Sequence, residues 1–423
     1  MIVIALLSRI PLAFIPKDLT WDGAVYLMNA KWFAGQKIFF EALRPPFLSS
    51  FFSIFISLGI TSELFFRIMI SLFSAMSIFL TYYVAKKFFG EKAGFLSAAV
   101  LIFLPIHVLW TPRILTGIPS SVFVLLFILT LYKGLKDEKY LYISSFFAAL
   151  AFLTRYPLGI LILAMYVFLL FKKTNIKNII ISFAIYIATV APWLIYNFLR
   201  FGDFLYSFKE GIKYSGVSTQ PIYFYLVTLP KSFSFLILVI LFGLLFSIKY
   251  IKKDEKLQLL AITILIFGIA MCLFKHKEER YLLPIIPLLI IFSSYFAEKI
   301  NWKKWVPFVV VLTIASIPFA IPHYSNCYGI KEISQNLNGV VASEYWPLTA
   351  YYGNVKVAVL PPKEEYFESF LRAKNISYII AASNGWWPPY ASNFSFYDSK
   401  AYLEFVKETN DSCHTYRLYR VKL

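Results

Sequence analysis

Charged residues are scarce in this chain of 423 residues. They make up 15% of the sequence, against 59% hydrophobic and 19% aromatic residues, a composition that soluble globular domains do not reach. The scarcity excludes an ordinary soluble fold and predicts a polytopic membrane protein. Three cysteines are too few for a disulfide framework, but Cys327 and Cys413 both fall in the C-terminal region, which leaves a single bridge open.

Several familiar catalytic patterns are also missing. The sequence has no Gly-rich nucleotide loop, no Ser-His-Asp arrangement and no paired CxxC motif, so a soluble nucleotide cofactor has no visible site. His276 has no second His, Cys or carboxylate at metal-ligand spacing, and we expect the isolated His107, His323 and His414 to be structural. No metal site is indicated, although a divalent metal stays open.

What is present is a series of apolar runs that could cross a bilayer. We count eleven of them, at residues 2–16, 63–86, 94–110, 117–134, 140–154, 157–171, 176–196, 231–249, 256–274, 282–296 and 304–321. Several are shorter than the roughly 20 residues that span a bilayer, so we expect the helices to extend into flanking Tyr, Trp and Lys.

Five short basic loops occupy every second gap between these runs. They lie at residues 86–92, 133–139, 172–177, 249–256 and 298–304. Because Lys and Arg in short loops stay in the cytoplasm, all five share one side only if the run at 45–60 does not cross the membrane. We therefore predict a re-entrant or interfacial helix there, a multi-pass protein of the cell membrane with a cytoplasmic N-terminus, and an extracytoplasmic segment after residue 321.

The net charge of +18 is concentrated in the membrane part, because residues 322–423 hold ten Lys and Arg against nine Asp and Glu. Basic residues in that part set the topology or face anionic head groups and phosphates. The membrane bilayer is therefore an expected partner, and nucleic acid is not.

The C-terminal region changes character and predicts a second domain. Residues 1–321 are predicted to form an all-α membrane domain with juxtamembrane helices in its first outer loop, and residues 322–423 a small extracytoplasmic α/β domain. Its expected elements are strands at 340–343, 355–360, 377–382 and 415–421, a short helix holding 348–352 and a helix at 366–373.

The first outer loop offers a candidate catalytic base. Asp22, just beyond the first apolar run, can accept a proton from an incoming hydroxyl at the polar rim. Alternatively, Asp22 is only the N-cap of a helix that starts near Gly23. Arg44, which precedes two prolines, is a candidate phosphate ligand or a snorkelling side chain.

A second outer loop, at residues 275–281, packs six ionisable side chains between two apolar runs. That density at a membrane rim is stable only if the loop is solvated or holds a charged ligand. Arg280 is the best phosphate candidate because guanidinium binds in a bidentate fashion, with Lys277 and His276 as further donors. A solvated loop with internal ion pairs is the alternative, and Arg113 and Arg155 are outward cations that could equally anchor helix ends.

Five short motifs follow one another along the chain, at residues 21–26 (WDGAVY), 44–47 (RPPF), 153–156 (LTRY), 191–197 with 201–202 (APWLIYN and FG) and 276–284 (HKEERYLLP). In their order and outward placement, they resemble the motifs of integral-membrane glycosyltransferases of the GT-C superfamily. The resemblance is to prokaryotic relatives of dolichyl-phosphate-mannose protein mannosyltransferases and of lipid A aminoarabinose transferases.

The resemblance implies an inverting transfer of a hexose, mannose-like, from a polyprenyl-phosphate donor to a protein, glycan or lipid acceptor. Asp22 would be the base, with Tyr26 in the same motif, and Arg44, Lys277 and Arg280 would bind the donor phosphate. His276, Glu278, Glu279, Arg113 and Arg155 would support them. Many members carry a second acidic residue where this chain has Gly117, so Glu278 or Glu279 would take that role, or the role is dispensable, or activity is impaired.

Two other functions fit many spans with outward charges. One is a transporter or flippase of a lipid-linked saccharide, although the matched broken helices typical of transporter repeats are not visible. The other is a non-catalytic subunit of a glycan-assembly complex, which Gly117 keeps open.

Overall fold

The computed structural model describes residues 1–215, 219–321, 327–385 and 388–423, which leaves His323 outside the described residues. Two compact units are present. The first comprises Met1–Phe14, Ala42–Phe47 and Glu63–Pro322, and the second comprises Ile15–Glu41, Leu48–Ser62 and His323–Leu423. The second unit thus contains first-loop segments as well as the C-terminal region, whereas the predicted division at residue 321 remains a prediction.

Helices form at every apolar run that the sequence predicts. They are α1 (Ile2–Arg9), α2 (Trp21–Phe33), α3 (Pro46–Ser57), α4 (Glu63–Phe89), α5 (Glu91–Phe103), α6 (Pro105–Trp110), α7 (Gly117–Gly134), α8 (Lys139–Thr154), α9 (Ile160–Phe171), α10 (Ile176–Phe201), α11 (Tyr206–Ser215), α12 (Phe224–Phe233), α13 (Leu236–Ile248), α14 (Glu255–Leu273), α15 (Ile286–Ser293), α16 (Trp302–Ala320), α17 (Gly329–Ile333), α18 (Trp346–Gly353), α19 (Phe367–Ala373) and α20 (Phe394–Asp398).

The count of eleven spans is not confirmed. Within the described residues, five helices are long and apolar enough to cross a membrane, or six if α12 and α13, which meet at a bend of 120°, form one broken span. The other predicted runs are shorter helices, because prolines and tight turns interrupt them; Pro105, for example, divides the run at 94–110 into α5 and α6. The run at 45–60 forms α3, of 12 residues, which is too short to span a bilayer alone.

The five basic loops lie together at one end of the first unit. Lys172 Nζ donates to Glu255 Oε1 (2.7 Å), Lys256 Nζ donates to the Phe88 carbonyl, and Glu298 Oε1 accepts from Lys92 N (2.7 Å). These bonds connect four of the loops, and Lys256 also lies over the ring of Tyr132, beside the fifth. The grouping on which the topology argument depends is therefore present in the fold.

The core of the first unit is apolar and lies between helices. α7 runs through its centre, and its buried Phe127, Ile128 and Leu131 pack in one cluster with residues from α8, α9, α14 and α15. Among membrane helices, such packing is stabilised by van der Waals contact and not by transfer from water, because lipid tails are as apolar as these side chains.

The second unit contains a five-stranded sheet of order β2-β1-β3-β5-β4, from β1 (Val340–Ser343), β2 (Lys356–Ala358), β3 (Ile376–Ala382), β4 (Leu403–Asn410) and β5 (Thr415–Val421). β2, β1 and β3 are parallel, whereas β3, β5 and β4 are antiparallel. The four predicted strands are present. β4 was missed because it is an edge strand whose exposed charges hide the apolar alternation.

A disulfide joins Cys327 and Cys413, which are 86 residues apart. Closing a loop of this length restricts the unfolded chain and stabilises the folded one by roughly 4 kcal/mol in the chain-entropy model. The bridge links the start of the described C-terminal segment to the turn between β4 and β5.

We predict that Cys413→Ser lowers the thermal stability of the second unit, because it removes this cross-link. The measurement is thermal unfolding with and without reductant, and Cys272→Ser, which changes an unpaired cysteine in α14, is the matched control. Free thiols at both Cys327 and Cys413 in protein extracted with a thiol-blocking reagent would contradict the pairing.

Candidate functional site

Glu278 is the centre of the loop between α14 and α15. Its carboxylate accepts from Arg280 Nε (2.5 Å) and Nη2 (2.9 Å) and from the Tyr281 hydroxyl (3.0 Å), and His276 Nε2 lies 3.1 Å from it. The predicted internal ion pairing of this loop is therefore present. It orients Arg280 bidentately, which also pre-organises the guanidinium.

Burial alone would raise the pKa of the Glu278 carboxyl, but the bonds and charge of Arg280, with the bonds from His276 and Tyr281, lower that pKa below its ordinary value of 4.5. Burial raises the pKa of the Tyr281 hydroxyl. At neutral pH, Glu278 is thus a carboxylate and Tyr281 a neutral donor.

Trp110, at the end of α6, brings two predicted cations together. The guanidinium carbons of Arg113 and Arg280 lie 5.1 and 5.3 Å from its ring centroid. Arg155 lies 4.6 Å from the ring of Tyr281. We call these five side chains the arginine cluster; it joins three cations that are far apart in sequence on two aromatic platforms.

The motif aromatics hold the segment that carries Arg44. The Tyr156 hydroxyl donates to the Arg44 carbonyl (3.2 Å), and Trp193 Nε1 donates to the Tyr156 oxygen (3.0 Å). Asn197, four residues beyond Trp193, accepts from Ser207 Oγ (2.6 Å) and so ties α10 to α11. The LTRY and APWLIYN strings therefore serve as a scaffold for the backbone at Arg44.

Lys277 is buried, unlike its neighbours in the loop, and donates to the Gln220 carbonyl (2.9 Å), while Gln220 N donates to the Lys275 carbonyl. These bonds tie the loop to the segment before α12. Phosphate binding by Lys277 stays a prediction. Glu279 begins the 3-10 turn Glu279–Leu282 that presents Arg280 and Tyr281.

Asp22 lies in the second unit, in the first turn of α2. Thr20 is the N-cap, since its Oγ1 accepts from Gly23 N (3.1 Å), so the alternative that Asp22 caps this helix is wrong.

Tyr26 is buried and its carbonyl accepts from Ser49 Oγ. Trp21, next to Asp22, packs edge-on against Trp346 (4.5 Å between centroids), so α2 rests on α18 of the C-terminal region. Asp22 and the arginine cluster belong to different units, and their pairing in one reaction centre stays a prediction.

Gly117, which replaces the second acidic residue of the resembled family, packs against the loop of Glu278. A Cβ at this position would lie 3.0 Å from Leu283 Cδ1 and 3.6 Å from the Arg280 carbonyl oxygen. The glycine therefore permits the close approach of α7 to the turn that carries Arg280.

Sequence reasoning missed Trp110. The signal that could have found it is an aromatic residue three positions before an arginine at the end of an apolar run, since such a ring can stack on the guanidinium. As for metals, no group of three or more His, Cys, Asp or Glu side chains converges within the part of the chain that the structure describes.

Comparisons with known proteins show a family match over part of the chain and matches to the fold. A family model described as dolichyl-phosphate-mannose-protein mannosyltransferase matches residues 43–196. The segment holds Arg44, Trp110, Arg113, Gly117, Arg155 and Trp193. No curated protein matches the chain.

Solved structures match almost the whole chain. ArnT from Cupriavidus metallidurans bound to undecaprenyl phosphate matches with a TM-score of 0.76 and 12% identity, over 98% of this chain and 96% of that one. The Archaeoglobus fulgidus oligosaccharyltransferase in complex with zinc and sulfate matches with a TM-score of 0.64 and 11% identity, over 90% and 67%. AglB of the same organism, with an inhibitory peptide and a dolichol-phosphate, matches with a TM-score of 0.61 and 13% identity, over 90% and 68%.

These matches define the class: the chain has the fold of the GT-C superfamily of membrane glycosyltransferases, and the predicted resemblance is confirmed. The family model covers residues 43–196, about a third of the chain, in its N-terminal half.

We predict that Gly117→Ala destabilises the protein by about 1–3 kcal/mol, because the methyl group overpacks the contact with Leu283. Gly268→Ala is the matched control: nothing lies within 4 Å of a Cβ there, so removing a helix glycine stabilises by about 0.5–1 kcal/mol. Thermal unfolding in detergent compares the two, and an equal effect would contradict the packing role of Gly117.

We also predict that Glu278→Gln destabilises the protein by roughly 1–2 kcal/mol at pH 7, because a charged acceptor is lost from a partly exposed network. A carboxyl group whose pKa is lower in the folded state than in the unfolded state stabilises the folded protein at pH values above its unfolded pKa. That stabilisation is lost as the pH falls through the pKa of the group in the folded state.

The difference in stability between wild type and Glu278→Gln should therefore be largest above pH 5. It should shrink as the pH falls below about 4.5. Unfolding temperatures measured from pH 7 to pH 4 test this expectation, with Glu279→Gln as the control for loss of one charge in the same turn. A difference that stayed constant over this range would refute the role of Glu278.

Proposed function

We propose that the protein is an inverting glycosyltransferase that moves a hexose, mannose-like, from a polyprenyl-phosphate donor to an extracytoplasmic protein, glycan or lipid acceptor. The observation that carries the proposal is the arginine cluster, in which Arg113, Arg155 and Arg280 are held on Trp110 and Tyr281. Three oriented guanidinium groups at a membrane rim suit a phosphate group better than a neutral solute.

The position of the cluster along the helices supports an outer-rim site. α7 has Gly117 beside the Arg280 carbonyl at one end and reaches the basic loop 133–139 at the other. Its 18 residues correspond to about 27 Å of helix, close to the thickness of the hydrocarbon core. The phosphate cations and the topogenic lysines thus occupy opposite ends of one membrane-length helix.

The chemistry follows from charge development. As the glycosidic bond to the phosphate breaks, negative charge gathers on the leaving phosphate, and fixed cations stabilise it without reorganisation. Arg44 and Arg280 would bind the phosphate, with Lys277 as a further donor and with His276, Arg113 and Arg155 in support. Glu278 would hold Arg280 and His276 in place, with Glu279 beside it, which gives the loop a carboxylate where the resembled family has one at the position of Gly117.

Asp22 would remove the proton from the acceptor hydroxyl on the face of the sugar opposite the phosphate, which gives inversion. The N-cap of α2 is Thr20, so Asp22 has no capping role in this helix. No metal is assigned to the site; whether the reaction uses a divalent ion is left to the assay.

Similarity adds support for the donor. The matched ArnT structure is described as bound to undecaprenyl phosphate and the matched AglB structure as holding a dolichol-phosphate, while the family model names a mannosyl donor and a protein acceptor. A polyprenyl-phosphate mannose is accordingly the first donor to test.

The proposed topology has a cytoplasmic N-terminus, a membrane domain at 1–321 and an extracytoplasmic domain at 322–423. The grouping of the basic loops supports it, because such loops remain in the cytoplasm. The disulfide between Cys327 and Cys413 supports an outward C-terminal domain, since such bonds persist in oxidising compartments.

We predict that Asp22→Asn lowers turnover by about 10²- to 10⁴-fold, the contribution of a general base. Arg280→Ala should lower it by about 10²- to 10³-fold, as for loss of one pre-organised donor. The assay uses vesicles with radiolabelled polyprenyl-phosphate hexose and candidate acceptors. Asp137→Asn, an exposed carboxylate in the basic loop at 133–139, is the matched control and should leave turnover unchanged.

Three results would contradict the proposal. Full activity in Asp22→Asn would remove the assigned base, and unchanged kinetics in both Arg44→Ala and Arg280→Ala would remove the phosphate site. Movement of labelled lipid across the bilayer without sugar transfer would favour a flippase instead.

A further inference from the structure

Arg9, the last residue of α1, is a charged side chain buried within the membrane unit. It is 1% exposed, and no carboxylate among the described residues forms an ion pair with it. Burial of an unpaired guanidinium among apolar helices is unfavourable, so its retention calls for a specific set of bonds. Arg9 lies within the apolar run 2–16, so the sequence pattern alone does not single it out.

The bonds of Arg9 lie at the break between α5 and α6. Leu104 is extended (φ −68°, ψ 117°), and Pro105 has no N–H to donate to the Leu101 carbonyl. The last carbonyls of α5 therefore lack helical partners. Arg9 Nη2 supplies a donor to both, at 3.0 Å from the Leu101 oxygen and 2.8 Å from the Ile102 oxygen. The guanidinium thus caps the C-terminus of α5, the end that the helix dipole makes favourable for a cation.

The same side chain also fixes α6 at both ends. His107 Nδ1 lies 3.2 Å from Arg9 Nη2 and accepts from it, which places the ring proton on Nε2. Arg9 Nε donates to Ser74 Oγ (3.1 Å), and Ser74 Oγ lies 2.9 Å from Thr111 Oγ1, just after α6. The Thr111 hydroxyl donates in turn to the His107 carbonyl (2.6 Å). One guanidinium therefore links α4 and α5 to this six-residue helix, which also packs against α12 and α16.

We propose that Arg9 is a positioning residue for the donor phosphate. By capping α5 and holding α6, it fixes Trp110, and the indole ring fixes the guanidinium groups of Arg113 and Arg280 on its faces. The inference rests on the proposed function in taking Arg280 as a phosphate ligand and Arg113 as a supporting cation.

An arginine is needed at this position because one side chain must donate hydrogen bonds to several acceptors at once. The guanidinium makes bonds to three carbonyls, an imidazole nitrogen and a hydroxyl from all three of its nitrogens, and a lysine ammonium reaches only part of that set. Arg9→Lys should consequently be intermediate between wild type and Arg9→Met. Thr111→Val, which keeps the volume and removes the link to Ser74, should act in the same direction with a smaller effect.

The first measurement is amide hydrogen exchange of the full-length protein in detergent. In Arg9→Met we expect exchange over residues 105–113 to be faster by about tenfold, the change that loss of roughly 1.4 kcal/mol of local stability produces, and in Arg9→Lys we expect a smaller increase. Peptides from α7 in the same sample should not change. Thr263→Val, which removes a buried hydroxyl bond in α14, is the control variant and should leave residues 105–113 unchanged.

The second measurement separates positioning from general stability. A displaced phosphate site should raise KM for the polyprenyl-phosphate hexose by about 10- to 100-fold while KM for the acceptor is unchanged, since misplacement by about 1 Å can have effects of that size. The effects of Arg9→Lys and Trp110→Phe on the donor KM should be less than additive, because both act through the same ring.

The outcomes are distinguishable. Unchanged exchange over 105–113 in Arg9→Met overturns the holding of α6 by Arg9, and faster exchange with an unchanged donor KM overturns the positioning role. Additive effects of Arg9→Lys and Trp110→Phe also overturn it. If wild type does not turn over any polyprenyl-phosphate sugar, the proposed function fails, and hydrogen exchange alone then decides whether Arg9 holds α6.

Discussion

Separation of two kinds of positive charge is the constraint on which the membrane unit depends. Lysine-rich turns lie together at one end, where Lys172 and Lys256 reach across to Glu255 and to the Phe88 carbonyl. Arginines dominate the other end, where aromatic rings hold them. The difference follows from side-chain chemistry, since a hydrated ammonium stays mobile in a solvated turn, whereas a planar guanidinium stacks on an indole and binds an anion bidentately. In the proposed function, the lysines would set the orientation in the membrane and the arginines would form the phosphate site.

The arginine end is assembled from interruptions in helices. Pro105 ends α5 early and lets α6 turn Trp110 toward Arg280, while Gly117 lets the turn that follows Glu278 approach the start of α7. The break at Pro105 leaves carbonyls of α5 that a bilayer cannot satisfy, and Arg9 satisfies them instead. In the loop at 275–281, Lys277 donates in the same way to the Gln220 carbonyl. Irregular backbone is tolerated in this part of the unit because buried cationic side chains donate to the carbonyl groups that lack helical partners.

Sequence reasoning found the elements and missed the contacts. Apolar periodicity located each helical run, and strands β1 and β5 were predicted with their observed ends, because those signals are local. The edge strand β4 was missed since its burial depends on β5, and the role of Arg9 was missed since its partners lie some 65 to 98 positions away. Motif order led to Arg155, Tyr156 and Trp193, but their joint action on Tyr281 and on the Arg44 backbone needs three dimensions.

The second unit bears on how an acceptor would meet the base. α2, which carries Asp22, packs through Trp21 on Tyr345 and Trp346 of the C-terminal region, and Lys31 of the same helix lies over Tyr351. Lys31 is buried, so this contact is a packed one and not a solvated pair, and the burial lowers the pKa of its ammonium. Segments some 300 residues apart in sequence thus form one scaffold. In the proposed reaction, the second unit would hold the catalytic carboxylate. Acceptor choice could then change with the C-terminal region while the arginine cluster stays the same.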